Sequence, residues 1–438
     1  MSCPTTTKIP KRASSRWFVA ALVVVFILSG LCTYAVVHWL TSTQVPHEGA
    51  EMHRQQAMQA LEADDLALAK THLARCLELW PIHAETHFLM ARTCRRADDA
   101  PGWQAHWRRA QVLGWNKDAL DLERDLMQAQ QGHVLPVERK LLDYLAAHPP
   151  EDEIVCEAMA RGYLAAQLLV PLLELTRTWI ERYPDHWQPH LFRGRVFQLG
   201  HSTDRAISEY RYVLERKPDH AEAHRELAEA LMVNAGFAEA LTHFEAYLQH
   251  HPDEPGAQVG RANCQFSLGQ FDAARATLDQ LFSRTQEVAA GDFVRAKVEL
   301  AVDQPGEALR WLTRAEALAP HEPDITYYQV LVLQRLGRAD EAKKYEQKLQ
   351  TDRRQFDRLN EIKKQILTDA RNPTLRQQAG AVALSLGRKA EALNWLDSAL
   401  LLESSHAPTH QLLAEYYEKS GDGQRAAYHR RRAEGARQ

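Results

Sequence analysis

One interval recurs along most of this chain. Ala206, Ala240, Ala274, Ala308 and Ala342 stand 34 residues apart. Pro184, Pro218 and Pro252 keep the same interval, and Pro320 falls two intervals later. Upstream, Pro81 and Pro149 are 68 residues apart, and one residue is inserted before Pro184. Downstream, Ala392 and Ala426 are again 34 apart, while Ala342 and Ala392 are 50 apart, so about sixteen residues are inserted between them. A fixed period of this length marks small units that bury their faces only against their neighbours. It overrides the division into about three compact domains that 438 residues would otherwise suggest.

Ala221 to Glu254 is the clearest unit. Its first half carries Leu227, Ala228 and Leu231 at helical spacing; Gly236 breaks the run; its second half carries Phe237, Ala240, Phe244, Tyr247 and Leu248; Pro252 ends it. Ala228 and Ala240 are small enough to let two antiparallel helices approach closely, and the larger side chains fill the seam between them. A proline cannot continue a helix and sets the turn into the next unit. The unit beginning at Trp187 repeats the pattern with Gly194, Phe197, Ala206, Tyr210 and Pro218.

This pattern resembles the tetratricopeptide repeat, which implies an all-α superhelical solenoid of antiparallel helix pairs. Laid along the sequence, the frame gives about eleven units within 50–438. They start at Ala50, Ala84, Asp118, Asp152, Trp187, Ala221, Pro255, Ala289, Pro323, Pro373 and Ala407. Two read as irregular. Trp103 occupies the small-residue slot of 84–117, and Pro171 interrupts the second helix of 152–186. The insertion lies within 339–370. Tyr345, Leu349, Phe356, Leu359, Ile362 and Ile366 recur there mostly at three- and four-residue steps, which predicts one amphipathic helix of about thirty residues. The expectation is an extended second helix facing its own core. The alternative is an arm through which two copies associate.

Before the repeats lies a different kind of segment. Residues 1–16 carry Lys8, Lys11, Arg12 and Arg16 and no acid; 17–40 form an apolar run without Asp, Glu, Lys or Arg; 41–49 are a linker. Twenty-four helical residues span about 36 Å against a hydrocarbon core of about 30 Å. Trp17 and Trp39 sit at the ends of the run, as interfacial aromatics do. The run exceeds the usual apolar region of a cleaved signal, so a single transmembrane helix is expected. The basic flank puts the N-terminus in the cytoplasm and the solenoid outside it.

Composition adds exclusions. Fifty-three basic and 57 acidic residues leave a net charge of −4, which does not suit a nucleic-acid partner. The sequence contains no phosphate-binding Gly-rich loop, nucleophile elbow, HExxH or EF-hand pattern, so no catalytic residue and no cofactor is expected. Six cysteines make no disulfide scaffold. Cys76 and Cys94 fall on neighbouring helices and are the one plausible bridge. His83 and His87, His186 and His190, His220 and His224, and His406 and His410 are each four apart. Each pair straddles a turn between units, so its recurrence reads as a consequence of the repeat rather than as a metal site.

In the resembled family, first helices line a concave groove that holds a peptide or partner helix. The frame then names candidate protein-binding residues: Arg54, Phe88, Arg92, Arg95, Arg96, Arg195, Arg225, Asn263 and Tyr327. Glu229, Phe293, Lys297 and Arg335 fall in similar slots. The family's carboxylate clamp pairs Lys and Asn four apart in one first helix. This chain has Arg225 with Glu229 and Val259 with Asn263, so that clamp is not implied. Arg92, Arg95 and Arg96 lie within about one turn; the first expectation is a solvated charged face, and the alternative is a groove binding an acidic peptide. The functional expectation is a membrane-anchored, non-enzymatic scaffold acting through protein–protein contacts. The alternatives are a fixed subunit or assembly factor of an envelope complex, and an enzyme with an unrecognised site.

Overall fold

A computed structural model describes residues 48–147, 152–285 and 287–435, and holds 22 α-helices and no strand among them. The apolar run 17–40 lies outside the described residues. Among those described, no helix is long and apolar enough to cross a membrane. The described residues form two compact units, divided between Asp125 and Leu126.

The first unit contains α1 (Glu48–Glu62), α2 (Leu66–Leu79), α3 (Ala84–Arg96) and α4 (Ala100–Val112), and the division falls within α5 (Lys117–Gln130). The second continues with α6 (Leu135–Ala146), α7 (Asp152–Ala165), α8 (Leu169–Arg182), α9 (Gln188–Leu199), α10 (Thr203–Arg216), α11 (Ala221–Val233) and α12 (Phe237–His250). It then runs through α13 (Pro255–Ser267), α14 (Phe271–Arg284), α15 (Ala289–Ala301), α16 (Pro305–Leu318), α17 (Pro323–Arg335) and α18 (Ala339–Thr368). The last helices are α19 (Pro373–Ser385), α20 (Lys389–Leu402), α21 (Ala407–Lys419) and α22 (Gly423–Gly435). Odd-numbered helices open each repeat and even-numbered ones close it.

The turn inside each repeat needs one residue in the left-handed region. Glycine supplies it at Gly132, Gly269, Gly337, Gly387 and Gly421, while Asp64, Asp98, Gln167, His201, Ala235 and Asp303 supply it elsewhere. In the unit 221–254 the left-handed residue is Ala235 at φ 58°, one position before the glycine that the sequence marks as the breaker. An alanine there costs about 1–2 kcal/mol. Pro171 interrupts nothing. It is the third residue of α8, where a backbone N–H has no partner within the helix. Trp103 is equally accommodated, packed against Ala57, Leu73, Met90 and Cys94.

Close approach of helices rests on small residues. A Cβ added at Gly260 of α13 would stand 2.3 Å from Cζ of Phe244 on α12. Phe244 and Tyr210 are buried within a core that also holds Leu227, Leu231, Ala240 and Tyr247. Cys76, Cys94, Cys156 and Cys264 are buried and unbridged. Burial pushes the Cys94 thiol up to about 11 and those of Cys156 and Cys264 up to about 12, so none is a ready nucleophile.

Helix α18 is 30 residues long, against 14 for α16. Its apolar stripe is used inside the chain: Leu359, Ile362 and Ile366 pack with Ala379, Val382, Ala392 and Trp395 of α19 and α20. The extra turns carry the following repeats to a docking position on α7. Arg376 of α19, wholly buried, donates to the carbonyls of Ala166 (3.0 Å), Gln167 (3.0 Å) and Ala370 (2.6 Å) and to Ser398. Its cation sits at the C-terminal end of α7, where the helix dipole favours it. Arg371 adds an ion pair to Glu138 at 2.8 Å.

Candidate interaction surface

In the second unit, the first helices of successive repeats touch one another: α7 meets α9, α11 meets α13, α13 meets α15, α15 meets α17 and α19 meets α21. Among the described residues no two second helices make a comparable contact. The first helices therefore line the inner side of this run, and candidate ligand-facing residues belong on them.

The first-unit candidates are occupied by the protein itself. Arg54 pairs with Glu51 at 2.6 Å and with Glu85 of the next repeat at 3.0 Å. Arg95 and Glu123 are both wholly buried and meet at 2.6 Å. Arg92 reaches the same carboxylate at 3.5 Å and stacks over Phe88, 4.8 Å from its centroid. Arg96 pairs with Asp64 at 2.6 Å. Phe88 is itself buried, against Trp115. The expectation that Arg92, Arg95 and Arg96 face an open groove does not describe Arg95, which has no exposed surface. The physical reason is that each guanidinium is neutralised by an acid from a neighbouring repeat.

Repeats five and six balance their charges in the same way. Arg195 of α9 bonds Glu226 of α11 at 2.7 Å. Arg225 bonds Glu222 at 3.0 Å and Glu229 at 2.6 Å. Burial of Glu229 raises its carboxyl pKa, and Arg225 opposes that rise.

Repeats seven to nine differ. Lys297 of α15 donates to Oδ1 of Asn263 on α13 at 2.5 Å, and these two residues occupy the same slot in consecutive repeats. The ammonium lies 4.8 Å from the ring centre of Phe266 and 5.3 Å from that of Phe293. Burial pushes Lys297 down to about 8, with only distant opposition from Asp324. No carboxylate forms an ion pair with it among the described residues. Phe293 meets Tyr328 edge-on at 5.2 Å, and Tyr328 meets Tyr327 at 5.7 Å. Tyr327 is 41% exposed. The result is a cation on an aromatic floor, an amide with donors to spare and an accessible tyrosine. Lys297 was legible from its slot, but Phe266 was not, because it lies outside the frame's ligand-facing positions.

The histidines four apart do not face each other. In three of the four pairs the first histidine serves the helix N-terminus: His220 accepts from Ala223 N–H at 3.1 Å, while His83 and His406 bond Thr86 and Thr409 at 2.7 Å; His186 instead meets Glu153 at 2.5 Å. The second turns to a residue 19 positions later on the closing helix of its repeat. Among the described residues, no three His, Cys, Asp or Glu side chains gather as metal ligands.

With this geometry in hand, the described residues form an all-α solenoid of antiparallel helix pairs. Residues 193–236 and 237–298 each match a family model described as tetratricopeptide repeat. No curated protein matches the chain. Among solved structures it is similar to PilW, described as a widely conserved type IV pilus biogenesis factor, at 21% identity and TM-score 0.40, covering 45% of this chain and 91% of that one. It is also similar to a tetratricopeptide repeat protein from Parabacteroides merdae at 16% identity and TM-score 0.33, covering 66% and 100%. A third likeness is to MamA at 17% identity and TM-score 0.32, covering 38% and 97%.

Proposed function

We propose that this protein is a non-enzymatic scaffold, anchored in a membrane by residues 17–40, that binds a protein segment outside the cytoplasm through the first helices of repeats seven to nine. The observation that carries the reading is Lys297, a desolvated cation set among Asn263, Phe266 and Phe293 and left without a carboxylate partner. Such a group is stabilised by an incoming carboxylate, and the aromatic floor with Tyr327 suits an adjoining apolar side chain. The segment is therefore expected to carry an acid beside an apolar residue. The uncharged run and its basic N-terminal flank support the anchor and its orientation.

Selection from a displayed peptide library on the full chain tests the site. Enriched peptides should share an acid next to an apolar residue and lose binding on Lys297→Met. Selected peptides indifferent to that change would remove the site from the account. Digestion of intact cells and of opened membranes tests the topology: the solenoid should be cut only from the outer side.

A further inference from the structure

Three repeats contain the same histidine arrangement. His87, His224 and His410 each place Nε2 against a backbone carbonyl six residues upstream, at Pro81 (3.0 Å), Pro218 (2.8 Å) and Ser404 (3.0 Å). Each places Nδ1 against Nδ1 of the histidine 19 residues on: His106 (3.0 Å), His243 (2.8 Å) and His429 (2.9 Å). His53 and His72 make the same Nδ1 contact at 3.1 Å in repeat one.

The carbonyl decides the tautomers. It can only accept, so Nε2 of the first histidine carries the hydrogen and its Nδ1 is a bare lone pair. The contact then requires the hydrogen of the second histidine to sit on its Nδ1. Its Nε2 remains an open base. Ring centres lie 5.2, 5.1 and 5.1 Å apart. The rings thus extend away from each other along the N···N line, which is a donor facing an acceptor.

We propose that these three pairs are acid-releasable joints of the solenoid. One added proton goes to the outer Nε2 of the second histidine and leaves the contact intact. The next can go only to the shared Nδ1 of the first, where two N–H groups then oppose each other and the contact opens. The first histidine also holds the turn leading in from the preceding repeat, so opening loosens the junctions of repeats one with two, five with six, and ten with eleven.

The surroundings resist protonation. Burial lowers His87, His106, His243 and His429. Around the first pair stand Arg109 of α4, which opposes a positive charge on His87, Lys70 of α2, which opposes one on His106, and Asp99, which favours it; His83 lies in the preceding turn. Around the second stand Arg211 of α10, opposing, and Glu239 of α12, favouring, and these two pair with each other at 2.9 Å. Around the third stand Arg425 of α22, opposing, with Tyr417 stacked on His429 and Tyr428 beside it. Because these four histidines bind protons less readily folded than unfolded, the stability they contribute is present above the ordinary histidine range and falls as pH falls through it.

Repeat five is a built-in control. The same two slots hold His190 and Glu209, joined at 2.8 Å, with Arg193 on the same carboxylate. A proton on His190 strengthens that contact.

The test is nitrogen-15 NMR of the full chain labelled at its histidine rings. At about pH 7.5, well above the ordinary histidine range, His106, His243 and His429 should appear as Nδ1–H tautomers coupled to the Nδ1 of their partners. On acidification they should titrate below the ordinary histidine range. Amide exchange across α11 and α12, corrected for its intrinsic pH dependence, should then rise about tenfold, the equivalent of one lost hydrogen bond. His243→Glu, copying repeat five, should abolish that rise in repeat six alone. Nε2–H tautomers at all three closing histidines, or exchange unchanged by acid, would overturn the proposal. The tautomer readout needs no variant, so a failure of His243→Glu to fold leaves the test intact.

Discussion

The first helices of repeats one to three and those of repeats seven to nine look alike in sequence, since both put cations and aromatics in the same slots. The structure uses them in opposite ways. In the first group Arg54, Arg92, Arg95 and Arg96 are answered by Glu85, Glu123 and Asp64 from adjacent repeats. In the second, Lys297 meets an amide and two phenyl faces instead of an acid. Density of arginine is therefore a poor guide to a site. What separates the two groups is whether the next repeat supplies the counter-charge.

The largest effect should follow from breaking the buried Arg95–Glu123 pair. Glu123→Ala removes the buried carboxylate that faces Arg95 and should cost about 3–5 kcal/mol, read as a shift in chemical unfolding of the first unit. A smaller loss tests the support beneath Asn263. Gly260→Ala drives a methyl group into the Phe244 ring and should cost about 1–3 kcal/mol. It should also weaken peptide binding, because α13 carries both residue 260 and Asn263. Away from both faces, Ala235→Gly relieves a left-handed alanine and should raise stability by about 1 kcal/mol with binding unchanged.

The repeat was legible because its period, small residues and closing prolines are local. The same locality explains the errors. Ala235, rather than Gly236, takes the left-handed turn because the helix ends one residue earlier than a glycine count implies. Pro171 looked disruptive only because the start of α8 was unknown. The fate of Arg95 depends on Glu123, 28 residues away, an interval the 34-residue frame does not reveal. The histidine pairs have a 19-residue spacing that was present in the sequence and overshadowed by the four-residue one.

The smallest stability effect belongs to Lys297→Met, since removing a desolvated cation without an ion-pair partner costs the fold little. Its signature lies in pH. The folded chain holds fewer protons than the unfolded one between about 8 and about 10.4, so wild-type stability should rise with pH across that window and the variant should lack the rise. Binding of an acidic peptide should run the other way and weaken above about pH 8 as the ammonium loses its proton.

Photo-crosslinking in intact cells tests the comparison most directly, with the reactive side chain placed at position 327 in one variant and at position 92 in another. The account predicts partner adducts from position 327 that vanish on Lys297→Glu, and none from position 92. Adducts from position 92 that survive Lys297→Glu would contradict it.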